Sequence, residues 1–109
     1  MRHISGDSVR ECDQFFTVLY STPHTQIATM VLEPGQESGE LGTDHPQADQ
    51  VLFLLQGQVQ ATVGDESFLM EEGDSVVIQA GERHQIVGAG DRAAKTLNVY
   101  GPPAYPLDD

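Results

Sequence analysis

The stretch Gly39-Glu-Leu-Gly-Thr-Asp-His-Pro-Gln-Ala-Asp-Gln-Val-Leu-Phe-Leu-Leu-Gln-Gly57 sets a polar loop carrying His45 directly before an apolar run, Val51 to Leu55, that ends at a glycine. A second stretch has the same form: Gly73-Asp-Ser-Val-Val-Ile-Gln-Ala-Gly-Glu-Arg-His-Gln-Ile-Val-Gly88. It gives a turn, a short apolar strand, another turn, and then His84 at the head of a new apolar run. Each stretch places an imidazole beside the start of a strand. Two such strands in one sheet would bring the two rings to one point. The first run reads as a strand rather than as a helix over 47–56. Its apolar residues are consecutive instead of spaced by three and four, and glycine follows.

Working outward, Gln58 to Val63 alternates Val59, Ala61 and Val63 against Gln58, Gln60 and Thr62, the pattern of a half-buried strand. Gly64-Asp65 is a hairpin signal with glycine where a type II′ turn wants it, and Glu66 to Met70 pairs back. Ser75 to Gln79 reads as a short buried strand, and His84 to Val87 and Ala94 to Tyr100 complete the series. Upstream, Gln14 to Tyr20 and Thr25 to Glu33 read as strands joined by a turn that holds His24 in solvent. Met1 to Asp13 is polar and unpatterned, a loose lead-in or a short edge segment. Phe53 and Phe68 are assigned to the core in preference to an inter-sheet or interface position. Short strands with turn signals every ten or so residues indicate an all-β sandwich or barrel.

The 109 residues amount to one domain, and a net charge of -12 argues against nucleic acid and against anionic membrane surfaces as partners. The single cysteine, Cys12, cannot form an internal disulfide, and its neighbours Glu11 and Asp13 disfavour a thiolate. With no signal peptide in the opening residues, the expected location is cytoplasmic. No apolar run approaches the roughly 20 residues of a membrane span.

The chemistry concentrates in the two quoted stretches. Gln50, Leu52 and Leu54 share one face of their strand, and Val51, Phe53 and Leu55 share the other. If the first face lines a barrel, Gln50 stands at the mouth above a leucine-lined interior. His84 and Ile86 repeat the pattern. Thr43 lies two residues before His45, on the same face if that segment is extended. Two histidines and an amide oxygen would then meet at an apolar pocket, the usual form of a small-ligand site. Imidazole suits Zn, Cu, Ni and Fe, and oxygen donors extend the choice to Mn. A lone histidine at a strand end is more often a hydrogen-bonding structural residue, so spacing alone is a weak signal.

The two stretches resemble the two sequence motifs of the cupin superfamily. In the first, His45 matches the second histidine and Gly57 the closing glycine, while Thr43 stands where the first histidine belongs and Gln50 where the glutamate belongs. In the second, Gly73, Gly81 and His84 match, while Gln79 replaces the proline and Gly88 the asparagine. The ending Thr96-Leu-Asn-Val-Tyr-Gly-Pro-Pro103 is similar to that of small single-domain cupins of the mannose-6-phosphate-isomerase-like group. The resemblance implies a double-stranded β-helix (jelly-roll) barrel over 25–103, preceded by a segment with the first strand (1–24) and followed by a tail (104–109). It also implies a degenerate metal site of His45, Gln50 and His84 for a divalent ion (Zn, Mn, Fe, Ni or Cu). Thr43, Asp44 and Asp49 are the residues that could complete it.

Three functions are consistent with this pattern. One is a metal-dependent enzyme, an oxidoreductase or isomerase, with Tyr20, His24, Tyr100 and Tyr105 as acid–base candidates by residue type only. The second is a non-catalytic cupin binding a small molecule. The third is a barrel whose site has decayed, with His45 and His84 kept for their hydrogen bonds. The resemblance to small cupins also implies a homodimer, and the size of the chain and its exposed strand edges fit that.

Overall fold

The computed structural model describes residues 1–43 and 45–106. Asp44, one of the candidate ligands, and residues 107–109 of the expected tail lie outside the described residues. In chain order the elements are α1 (Gly6–Glu11), β1 (Phe16–Ser21), β2 (Gln26–Leu32), β3 (Asp49–Gln56), β4 (Gln58–Val63), β5 (Glu66–Met70), β6 (Ser75–Ile78), β7 (His84–Ala89) and β8 (Ala94–Gly101). They form two sheets facing each other, β1-β2-β8-β3-β6 and β5-β4-β7. Every strand pair is antiparallel. This is the all-β architecture expected from the turn spacing, in the jelly-roll form that the resemblance implies.

Register turns the period-two pattern into layers. In the larger sheet, Met30, Thr96 and Leu54 stand side by side, then Ala28, Asn98 and Leu52, then Gln26, Tyr100 and Gln50. In the smaller sheet Val59 and Ala61 pair with Gly88 and Ile86. The interior is therefore apolar at one end, where Leu32, Leu54, Val59 and Met70 are fully or almost fully buried. It becomes polar at the other end, at the level of Gln50 and Tyr100. Burying each such large aliphatic side chain contributes on the order of 1.5–3 kcal/mol, so the apolar end stabilises the barrel and leaves the polar end available for other work.

Gly57 makes the turn between β3 and β4 at φ +81, with Ala93 O only 2.9 Å from where a Cβ would sit. A side chain there would suffer both a disfavoured φ and a backbone clash. The loop after β2 runs along the free edge of β7, tied by bridges from Glu37 to Val87 and from Gly42 to His84.

Three expectations need correction. The lead-in contains α1, a polar helix capped by Ser5 Oγ, which accepts from Ser8 N at 3.1 Å, with Asp7 in the first turn and Arg10 in the last. Capping and charge placement sustain it although it buries nothing. Phe53 points outward and is 38% exposed, because the inward face of β3 is taken by Gln50, Leu52 and Leu54. Phe68, by contrast, packs against the core. β6 is an edge strand with one buried residue, Ile78, and Val77 is 60% exposed, so the strand is not buried. The apolar run Val51 to Leu55 likewise alternates faces, as a strand must.

Candidate functional site

His45 opens a tight turn in which Ala48 N donates to His45 O at 3.1 Å. Pro46 suits the second position of such a turn because its φ is fixed. The turn folds the ring back toward the start of β3, where its Nδ1 lies 3.1 Å from Ala48 O and its Nε2 lies 2.6 Å from Gln50 Oε1. Gln50 is held inward by the register of β3 with Tyr100 on β8 and Ile78 on β6.

His84 begins β7. Its backbone N donates to Gly42 O at 2.9 Å, and Gly42 N returns a bond to His84 O at 3.3 Å. That bridge draws the loop bearing His45 against the strand bearing His84. The His84 Nδ1 lies 3.1 Å from Glu82 O. The two imidazoles face one another with ring centroids 4.6 Å apart and planes tilted by 39°. They are 5% and 6% exposed, so this is a buried meeting point and not a surface pair.

The hydrogen bonds assign the protons. A carbonyl oxygen only accepts, so Nδ1 carries the hydrogen in both rings, and in a neutral ring Nε2 is left with its lone pair. For His45 that lone pair faces the amide oxygen of Gln50, a second acceptor. Two acceptors at this separation are compatible with a shared cation or proton, or with the amide turned over so that its nitrogen donates. A metal-binding histidine typically has its other nitrogen fixed by a carbonyl or carboxylate, and both rings meet that condition. The donor set thus fits a divalent late transition metal at two nitrogens and one neutral oxygen. It contains no carboxylate, and among the described residues no group of three or more His, Cys, Asp or Glu side chains could hold a metal ion.

Beside the pair lies a cavity of about 480 Å³. Phe15, Phe16, Tyr100 and Tyr105 supply its aromatic wall, Met30 and Ile86 its aliphatic wall, and Ser38, Gln50, His84 and Asn98 its polar groups. His45 lies behind this wall: it lines a separate outer hollow with Pro46, Ala48 and Pro102, and reaches the inner cavity through its contacts with Gln50, His84 and Tyr100. Five rings follow one another around the cavity. Phe16 to Tyr105 is 4.8 Å between centroids, Tyr105 to Tyr100 is 5.2 Å, Tyr100 to His45 is 5.2 Å, and His45 to His84 closes the series.

Thr43 is exposed whereas His45 is buried, so the two do not share a face. Asp49 is exposed and its carboxylate accepts from Ala80 N at 2.8 Å, pointing away from Gln50. Of the acid–base candidates, Tyr100 and Tyr105 reach the cavity. Tyr20 lies under the Arg2 guanidinium, 4.9 Å from ring centroid to Cζ, and His24 is exposed in its turn as expected.

Two features escaped the reading of the sequence. Thr96, Asn98 and Tyr100 form a buried ladder along β8, in which the Thr96 hydroxyl donates to Asn98 Oδ1 at 2.9 Å and Asn98 Nδ2 donates to the Tyr100 hydroxyl at 3.3 Å. Their spacing by two was the available signal. Gln26 is fully buried and anchors the segment after β8. Its Nε2 donates to Tyr105 O at 2.7 Å and to Ser21 Oγ at 2.8 Å, while its Oε1 accepts from Ala104 N and Tyr105 N at 3.1 and 3.0 Å. Nothing in the local sequence marks that role.

The Cupin domain family matches residues 28–100 of the chain. An uncharacterised protein of Bacillus subtilis, YrkC, is 26% identical over 107 residues, which cover 92% of this chain and 56% of that one. An uncharacterised protein of Acanthamoeba polyphaga mimivirus, L612, is 31% identical over 94 residues, covering 82% of this chain and 57% of its own. The chain thus spans a little over half the length of these curated relatives. The crystal structure of BH2720 from Bacillus halodurans superposes with a TM-score of 0.89 at 23% identity, covering all of this chain and 87% of that one.

Proposed function

The chain belongs to the cupin family, and from that premise we propose that it binds a small molecule in the barrel beside a weak divalent-metal site of His45, Gln50 and His84. The observation that carries this reading is the convergence of the two buried imidazoles, each with Nδ1 tied to a carbonyl, at the edge of the cavity. Zn, Mn, Fe, Ni or Cu would suit the donors, with water or ligand completing the shell. A divalent ion held there would supply Lewis acidity toward an oxygen of the bound molecule. The chain's own part is to orient the imidazoles, to present Gln50 and Asn98 as hydrogen-bonding groups, and to exclude water with the aromatic wall.

Metal-free, untagged protein titrated with Co²⁺ and followed by visible absorption tests the metal site. Saturable binding that His45→Ala and His84→Ala each abolish, with folding retained by circular dichroism, is the expected result. Binding that survives both substitutions would remove the site from this place.

The absence of a carboxylate among the donors favours a second reading, a non-catalytic small-ligand cupin whose metal site has decayed. Elemental analysis of protein purified without nickel chromatography distinguishes the two: a stoichiometric metal supports the first, and its absence beside retained ligand binding supports the second. Oxidoreductase or isomerase activity would be decided by turnover lost on metal removal. A homodimer is also proposed. In the outward row of the larger sheet, Val51 is flanked by Val77 and Val99, offering a second copy an uncharged, apolar face on a molecule of net charge -12. No described helix is long and apolar enough to cross a membrane.

A further inference from the structure

The cavity wall also constrains the kind of molecule it takes. Among its lining residues there is no Lys, Arg, Asp or Glu, and the one imidazole is that of His84. The chain has only five basic side chains, and each is committed elsewhere or exposed. Arg2 covers Tyr20, Arg10 pairs with Asp7, Arg92 pairs with Glu72, and Lys95 Nζ donates to Val9 O and Arg10 O. Arg83 is exposed on the turn before β7 and takes no part in the cavity wall. A phosphate or a dicarboxylate entering the cavity would lose its hydration without meeting a fixed cation, which is strongly unfavourable.

The polar groups are few. They are Ser38, Gln50, His84 and Asn98, and Asn98 and Gln50 sit on adjacent inward rows of β8 and β3. The rest of the lining is mostly apolar, with Phe15, Phe16 and Tyr105 beside Met30 and Ile86. A sugar would bury several hydroxyls against this apolar surface without partners, and each unmet hydroxyl opposes binding. A flat apolar body fits both the ring-lined wall and the space. An apolar cavity of about 150 Å³ already takes benzene, and this one is about three times that size at about 480 Å³.

We infer that the cavity takes an aromatic small molecule with a single oxygen-bearing polar end, the ring against Phe16 and Tyr105 and the oxygen toward Gln50, His84 and Asn98. The inference rests on the cavity being the binding site, as proposed above, and the exclusion of anions is argued for the cavity without a metal ion.

Fluorine NMR on the untagged, metal-free protein tests it with three probes of different class: 4-fluorophenol, 4-fluorophenyl phosphate and 2-deoxy-2-fluoroglucose. The imidazole resonances of His45 and His84 are followed in parallel to report where each probe binds. The expected result is that 4-fluorophenol shifts both imidazoles and binds at least about tenfold more tightly than either other probe. Tyr105→Ala, checked for folding by its urea midpoint, should weaken that binding by about tenfold. If the phosphate or the sugar binds as tightly while moving the same imidazoles, the cavity is the site but the ligand class is wrong. If no probe moves either imidazole, the cavity itself is not the site and the inference falls with it.

Discussion

His45 Nε2 stands 2.6 Å from Gln50 Oε1, and both atoms are acceptors when the ring carries its hydrogen on Nδ1. A neutral amide stands where the first cupin motif has a glutamate, and it faces the one imidazole of that motif. The pair is the point at which this chain departs from the motif most directly, and the point at which it is easiest to perturb.

Gln50→Glu adds one negative charge to an otherwise neutral donor set. Affinity for a divalent ion should rise by at least about tenfold, since a unit charge in direct contact is worth well over 1 kcal/mol in a part-buried site. Isothermal titration with Zn²⁺ on untagged wild-type and variant protein reads this directly. Equal affinities would mean that residue 50 takes no part in binding metal.

Gln26→Leu keeps the volume of the side chain and removes four hydrogen bonds, two of them to the backbone nitrogens of Ala104 and Tyr105. Leaving buried groups unmatched should cost about 2–3 kcal/mol in urea unfolding. It should also weaken ligand binding, because Tyr105 is a wall of the cavity and Gln26 touches no ligand itself. Unchanged stability and unchanged binding would show that the C-terminal segment is held by its aromatic contacts alone.

Much of the barrel was legible because its eight strands carry alternating or compact apolar runs between turns that are mostly marked by glycine. The pairing of His45 with His84 was legible only because each lies at a fixed distance from motif glycines. Spacing could not say whether the segment before His45 is extended, the condition on which Thr43 would have shared its face. The outward positions of Phe53 and Val77 were hidden for a different reason. In a run of consecutive apolar residues every face looks buried, and only the register of β3 with β6 and β8 decides which side faces in. Helix α1 has no apolar period to read, and Gln26 acts on residues far along the chain.

Gly88→Ala tests a departure in the second motif, where this chain has glycine in place of asparagine. A Cβ at Gly88 would lie 2.2 Å from Glu33 O and 3.0 Å from Glu33 C. The contact is with backbone that is itself bonded to β7, since Gly35 N donates to Gly88 O at 2.8 Å and Gly88 N to Gln36 O at 2.9 Å. The variant should lose about 3 kcal/mol in urea unfolding. Gly42→Ala, whose Cβ would meet nothing nearer than Glu40 O at 3.8 Å, is the control and should lose less than about 1 kcal/mol.

Val77→Lys places a charge in the middle of the exposed apolar row of β6 and β3. If a second copy covers that face, sedimentation should move from dimer to monomer while the barrel stays folded, because Val77 is largely exposed in the single chain. A wild-type protein that already sediments as a monomer at tens of micromolar would remove the dimer from the account.

The most direct test of the two imidazoles as one binding point is anomalous scattering from a crystal of untagged protein soaked in Zn²⁺ and collected at the zinc edge. The account predicts a single strong peak between His45 Nε2 and His84 Nε2, within bonding distance of Gln50 Oε1. Density at these three side chains with no peak, or a peak only at surface carboxylates, would contradict it.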